Sequence, residues 1–310
     1  MKKAWVNLLL LILFGLPLSA QDQLPRSSPQ KEGVNASGIL KFLEAVEGSS
    51  YEFHSLMILR NGKVIAEGWW HPYEPALMHT MYSVSKSFTA TAIGFAVDEG
   101  RLSVDDNVIS FFPDQLPDNV SLHLQALSIQ HLLTMSVGHG QDPTWQVVSS
   151  DHWAEAFLNT PIPNAPGSKF LYNTAATYML SAILQKVTGQ TLLDYLTPRL
   201  FKPLGIVGMD WESDPHGIHT GGYGLRLKTE DMAKFGQLFL QKGQWQDKQV
   251  LPVGWVEEAS SAKIIQDPGG SAGASRSKRL AAGLWLSDVA KPAPFIPCRW
   301  SFWTIHLGAS

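Results

Sequence analysis

The 310 residues carry a formal net charge of −3, with 45% apolar and 16% charged side chains. A chain of this length and apolar content can bury a sizeable core, and its near-neutral balance offers no electrostatic handle for nucleic acid or for an anionic membrane surface. The single cysteine, Cys298, excludes an internal disulfide and a cysteine-based metal cluster.

Residues 1–20 have the pattern of a secretory signal: basic Lys2 and Lys3, an apolar run from about Trp5 to Leu16, then a Pro-Leu-Ser-Ala stretch with Leu18 and Ala20 at the −3 and −1 positions. An uncleaved anchor is the alternative, although the run is short for a membrane span. The mature chain is therefore expected in the periplasm or outside the cell, with no membrane association beyond this signal. Residues 21–34 read as a polar linker, 35–276 as one folded domain and 277–310 as an aberrant tail.

Asn35 or Ser37 can cap a helix whose apolar face is Ile39, Leu40, Phe42, Leu43 and Val46. Two strand-like runs, residues 53–60 and 63–70, flank Asn61-Gly62, a strong two-residue hairpin signal. The stretch Val84 to Val97 has helical length and closes at Asp98-Glu99-Gly100, where the glycine suits a left-handed cap. Between Glu74 and Asp98 the only ionised side chain is Lys86. A helix apolar on nearly every side is buried inside a domain. Further helices are expected at 128–136, 152–158, 175–187, 192–200, 230–241 and 255–260, with Gly221-Gly222-Tyr223-Gly224 as a turn. His216 and His219 lie three apart in a Gly/Pro-rich stretch and read as loop histidines, not ligands. Strands at both ends of a long helical middle give an α+β layout.

Ser83 stands at the N-terminus of the apolar helix with Lys86 three residues on, so the amine can reach the hydroxyl on one helix face. The helix N-terminus favours a developing oxyanion, and apolar surroundings lower a lysine pKa until the neutral amine can accept the serine proton. This is a Ser-Lys nucleophile pair. The same residues are also compatible with a plain reading, in which Ser83 only caps the helix and Lys86 snorkels to water.

Four more stretches accompany this pair in order: Asp98-Glu99-Gly100 with Leu102 to Asp106; Ile129 to Gly138, containing His131-Leu132-Leu133-Thr134-Met135-Ser136; Pro166-Gly167 with Phe170 and Tyr172; and Gly224-Leu225 with Thr229 and Asp231 to Gly236. Together they resemble the class C beta-lactamase-type serine hydrolases, in the superfamily of beta-lactamases, penicillin-binding D,D-peptidases and related esterases, over about residues 35–265. The resemblance implies a beta-lactamase/D,D-peptidase-like α+β fold, an antiparallel sheet flanked by helices with a mainly helical second subdomain. It implies Ser83 as the acylated nucleophile, Lys86 as its activator and Tyr172 as the second acid or base. It places Asn173 and Thr174 at the substrate. Thr174 stands where the family's Y-x-N motif has asparagine, which turns the expectation toward an ester or peptide and away from an efficient beta-lactamase. No metal or organic cofactor is implied, and the partner is a small-molecule or peptidoglycan-like acyl substrate. A non-catalytic binding module of the same fold is the alternative.

The resemblance also calls for a third motif, K-T-G or a relative, on an edge strand that supplies an oxyanion N–H. From about Ser277 no such strand is recognisable, so the last sheet strands are expected to be missing. Read one base out of frame, Trp285, Trp300 and Trp303 become glycines. With free choice of wobble bases, the shifted tail can contain GYGYQ and ADGAFG, which resemble the family's penultimate strands. The tail is accordingly read as frameshifted, with a divergent C-terminus as the alternative.

Overall fold

The computed structural model describes residues 23–265, with the backbone of 280–281 and 303–307. The signal stretch and most of the tail lie outside the described residues. Among the described residues no helix is long and apolar enough to cross a membrane.

Helix α1 (Ala36–Glu47) begins where Asn35 accepts a hydrogen bond from the Ser37 N–H. Its apolar stripe, including Ile39, Phe42 and Leu43, packs against Leu56, Ile58 and Ile65. Strands β1 (Ser55–Arg60) and β2 (Lys63–Trp69) form the expected hairpin, with a bulge between Ile58 and Leu59. Asn61 and Gly62 take φ of 51° and 73°, the left-handed geometry of the tight turn that this dipeptide favours. Strand β3 (His79–Thr80) leads into α2 (Ser85–Asp98), and Gly100 with φ of 65° follows the helix end.

The helical middle comprises α3 (Leu122–Gln125), α4 (Ile129–Leu133), α5 (Thr144–Val148), α6 (Trp153–Leu158), α7 (Thr174–Thr188) and α8 (Leu192–Leu196). The chain then returns through β4 (Asp210–Trp211), β5 (Leu225–Leu227), α9 (Thr229–Leu240), β6 (Gln244–Trp245), β7 (Lys248–Gln249), α10 (Trp255–Ser260) and β8 (Ile264–Ile265). The expected helix over 192–200 divides at Thr197, where five residues wind as a π-turn around Pro198. Proline has no N–H to continue the α-helical ladder.

Helix α2 is the axis of the main core. Every residue from Ser85 to Ala96 is buried, and Phe88 stacks on Phe235 of α9 with ring centroids 3.9 Å apart. Glycine in mid-helix is ordinarily unfavourable, but Gly94 is required by its neighbour, because a Cβ there would lie 2.6 Å from the Trp255 indole.

Two features differ from expectation. The described part of the polar linker is docked: Leu24 is buried with Met57, Leu59, Val64 and Ala233. Arg26 bridges to β2 at Val64 and pairs with both Glu67 and Glu230. A single apolar residue among polar ones leaves no periodic signal, which hides such an anchor in the sequence. In the tail, β9 (Leu280–Ala281) pairs with β8, and β10 (Trp303–Leu307) pairs with β1 in parallel, from Leu56 opposite Trp303 to Arg60 opposite Leu307. The three-stranded sheet β10-β1-β2 is therefore mixed.

Gly94→Ala should destabilise the fold by about 1–3 kcal/mol, the usual cost of overpacking. Chemical denaturation measures this, and the loss should shrink when Trp255→Leu is added.

Candidate active site

The turn that carries Ser83 is held from behind by strand β5. His79 pairs with Leu227 and Thr80 with Arg226. The Met81 N–H donates to the Leu225 carbonyl at 2.7 Å, and the Leu225 N–H donates to Ser85 Oγ at 3.3 Å. Between these ties the chain makes a tight 3-10 turn over Tyr82–Val84. Tyr82 adopts φ of 44°, a left-handed conformation uncommon for an aromatic residue. The turn sets Ser83, half-buried, at the mouth of α2.

Lys86 is 3% exposed. Burial pulls its pKa down from 10.5 to about 7, with the nearby Asp142 carboxylate opposing the shift. Its Nζ donates to the Gly222 carbonyl at 2.6 Å and to Thr174 Oγ1 at 3.2 Å, and it lies 5.1 Å from the centre of the Tyr172 ring. A neutral amine that donates twice still holds its lone pair. Ser83 Oγ and Tyr172 Oη are hydrogen-bonded at 2.7 Å. Burial raises the Tyr172 pKa, against smaller lowering effects of the neighbouring Ser83 and Thr174 hydroxyls. The phenol is thus protonated at neutral pH, which suits a relay or an acid better than a tyrosinate base.

The structure brings Ser83, Lys86, Tyr172 and Thr174 together as two neighbouring hydrogen-bonded pairs. The Ser83 hydroxyl is bonded to Tyr172, and Lys86 is bonded to Thr174 and to the main chain. Asn173 has a different task from the substrate contact expected of it. It is 1% exposed, and its Oδ1 accepts the Ala176 N–H at 2.9 Å as the N-cap of α7. Its Nδ2 lies 2.9 Å from Nδ1 of His139, which is also 1% exposed. Because Oδ1 is committed to the cap, the amide must donate to His139, and His139 Nδ1 must accept. That fixes the Nε2–H tautomer. Burial holds the His139 pKa at about 4, so the ring stays neutral, and it stands edge-on to Phe157 with centroids 5.2 Å apart.

Three supports escaped the sequence reading. His139 looks like any polar loop residue next to glycines. In sequence Gly222 reads as part of a turn, yet its carbonyl receives Lys86. A Cβ at Gly222 would lie 2.5 Å from Thr174 Cγ2 and 3.2 Å from Lys86 Nζ, so only glycine fits. Asp214 anchors the loop that delivers Gly222, accepting the His216 and Ile218 N–H groups at 2.9 and 2.8 Å and the Tyr178 hydroxyl of α7 at 2.6 Å. The doubled glycine was the one available signal. The strand expected to carry a third motif falls on the tail, outside the described residues.

The beta-lactamase family model matches residues 47–297, most of the chain. The chain belongs to the beta-lactamase family. Its fold is that of the family, and the match runs past Ser277 into the tail. Among curated proteins, the chain is 26% identical over 282 residues to the 6-aminohexanoate-dimer hydrolase of Paenarthrobacter ureafaciens, covering 82% of this chain and 70% of that one. It spans about half the length of several other curated relatives it matches. Among solved structures it is similar to the octameric penicillin-binding protein homologue from Pyrococcus abyssi, with a TM-score of 0.60, 21% identity, and 76% and 62% of the two chains covered. It is likewise similar to EstCE1, a hydrolase with promiscuous acyltransferase activity, with a TM-score of 0.61, 16% identity, and 76% and 78% covered. At these identities the two structures show the fold alone.

Two outcomes follow for the supports. Gly222→Ala should displace Lys86 and lower the rate of Ser83 acylation by about 10²-fold or more, the scale of losing a positioned base. Labelling kinetics would read the loss, with circular dichroism unchanged. His139→Leu leaves the Asn173 amide without its acceptor and should cost about 1–3 kcal/mol of stability in denaturant titrations, whereas His139→Gln costs less.

Proposed function

We propose that the protein is an exported serine hydrolase that cleaves an ester or amide through an acyl-enzyme on Ser83. The observation that supports this best is the buried Lys86, close to half neutral at pH 7, at the end of the hydroxyl series Ser83, Tyr172, Thr174. Ser83 Oγ attacks the substrate carbonyl and passes its proton to Tyr172 Oη. For this the neutral amine turns its lone pair to the Thr174 hydroxyl, reversing the bond between them, and the phenolic proton moves on through Thr174 to Lys86, so the tyrosine remains neutral throughout. When the tetrahedral adduct collapses, the bond to the leaving group breaks and that group takes the proton back. Water then attacks the acyl-Ser83 ester by the same route and frees the acid. The Ser83 backbone N–H, at the helix mouth, would be one donor to the oxyanion.

The curated relative is named for a 6-aminohexanoate-dimer, and one structural neighbour for hydrolase and acyltransferase activity. Both names fit an acyl donor of the ester or amide class, and a beta-lactam is a third donor to the same constellation. In this chain the Asn173 amide caps a helix and Thr174 Oγ1 is bonded to Lys86. Neither is spare to recognise a beta-lactam side-chain amide, and this supports simpler esters and amides as substrates. Export rests on the basic and apolar pattern of residues 1–20.

A fluorophosphonate probe should label Ser83 covalently, and Ser83→Ala should abolish the label. Absence of label on a folded chain would overturn the proposal in favour of a non-catalytic binding module. The labelling rate should rise with pH and level off above about 7, because the amine must shed its proton to act. Lys86→Met should lower the rate by about 10²–10⁴-fold and remove that dependence.

A further inference from the structure

A second cavity, of about 460 Å³, opens beside the hairpin turn and contains none of the Ser83 site residues. Its volume falls within the range of small-molecule sites, about 300–1,000 Å³. Four glutamines line it, Gln23, Gln237, Gln241 and Gln246, with Trp245 and one cation, Lys202. Among the described residues no carboxylate, histidine or cysteine is in the lining.

Gln237 is the telling residue. It projects from α9 and is 8% exposed. Its side-chain amide makes no protein hydrogen bond among the described residues and is not sealed from solvent, so it can bond to a molecule in the cavity. Gly62, at the hairpin turn, stands directly beside it, where even a Cβ would make only ordinary contact with Gln237 Nε2, at 3.6 Å. Trp245 packs on the core against Ala233 and its neighbours while bordering the cavity, which fixes the indole in place.

The geometry points to this cavity as a second, non-catalytic binding site for a neutral pyranose sugar of one or two rings. Each glutamine amide both donates and accepts, and so does each sugar hydroxyl. The indole offers an apolar face with one polar edge, matched to a ring that carries C–H bonds on one face and hydroxyls around its rim. A lone lysine is too little charge for a polyanion, for which clustered cations and bidentate arginines are the usual partners. A metal ion is ordinarily held by carboxylates, imidazoles or thiolates, and the described lining offers neutral amide and main-chain carbonyls in their place.

Isothermal titration calorimetry of the full chain tests this, with N-acetylglucosamine, its β-1,4-linked dimer and maltose as probes to about 10 mM, the weak end of specific affinity. At least one sugar should bind, and Gln237→Ala and Trp245→Ala should each weaken it by about tenfold or more. Fluorophosphonate labelling of Ser83 should be unchanged in both variants. Should Gln237→Ala fail to fold, Gln241→Ala, at an exposed position on the same cavity, must show the weakening instead. Three results would each overturn the proposal: no heat from any probe, equal binding by the folded variants, or loss of binding once Ser83 has been labelled. The last would place the sugar in the catalytic site. Failure of Ser83 to label leaves this test intact, because it does not rest on the catalytic reading.

Discussion

A lysine held away from water is the constraint on which the rest depends. Charging Lys86 in this interior is costly, so the amine titrates near neutrality, and the fold must supply neutral partners for its hydrogens. It does so with one backbone carbonyl and one hydroxyl, from Gly222 and Thr174. Much of the surrounding architecture serves to deliver those two atoms. Asn173 caps α7 and so fixes where Thr174 begins, His139 holds Asn173, and Asp214 ties the Gly222 loop to Tyr178. The absence of acidic residues in α2 before Asp98 fits the same requirement, since a carboxylate beside the amine would push the lysine back toward its usual basicity.

What the sequence disclosed and what it hid divide along physical lines. The central helix was legible because an isolated charge in a long uncharged run is a rare pattern. The hairpin was legible because Asn61-Gly62 favours φ > 0 at both positions, which the structure shows at 51° and 73°. Tyr172 was found only through the order of several weak motifs. Asn173 reads in sequence as a substrate contact because an asparagine after Tyr172 can face either the substrate or the following helix. Only the competing demand of an open helix N-terminus shows which applies here. His139 carried no signal, since its importance lies in an acceptor atom and a tautomer, neither of which composition reveals. Leu24 was lost in a polar segment for the same reason that any single anchor is: one residue has no period.

The sheet shows where local pattern and topology part company. The strands β1 and β2 are joined by a turn, so their antiparallel register is dictated by neighbours in sequence. The pairing of β1 with β10 is parallel and joins residues far apart in the chain. A parallel partner needs a long crossover and cannot be anticipated from a turn motif. The edge of β1 is thereby covered, which matters because an open edge invites pairing with other chains.

The acceptor facing Lys86 belongs to the main chain, and this gives the site an unusual relation to genetic variation. A point mutation at residue 222 replaces a side chain but leaves the carbonyl in place, so the chemical function of that position is beyond the reach of coding changes. What mutation can alter is room. The gap there is closed to even one extra carbon by Thr174 and by the amine itself. Vulnerability has moved from the identity of a functional group to the volume around it. Drift in the family should therefore be tolerant of the chemistry of neighbouring loops and intolerant of their bulk.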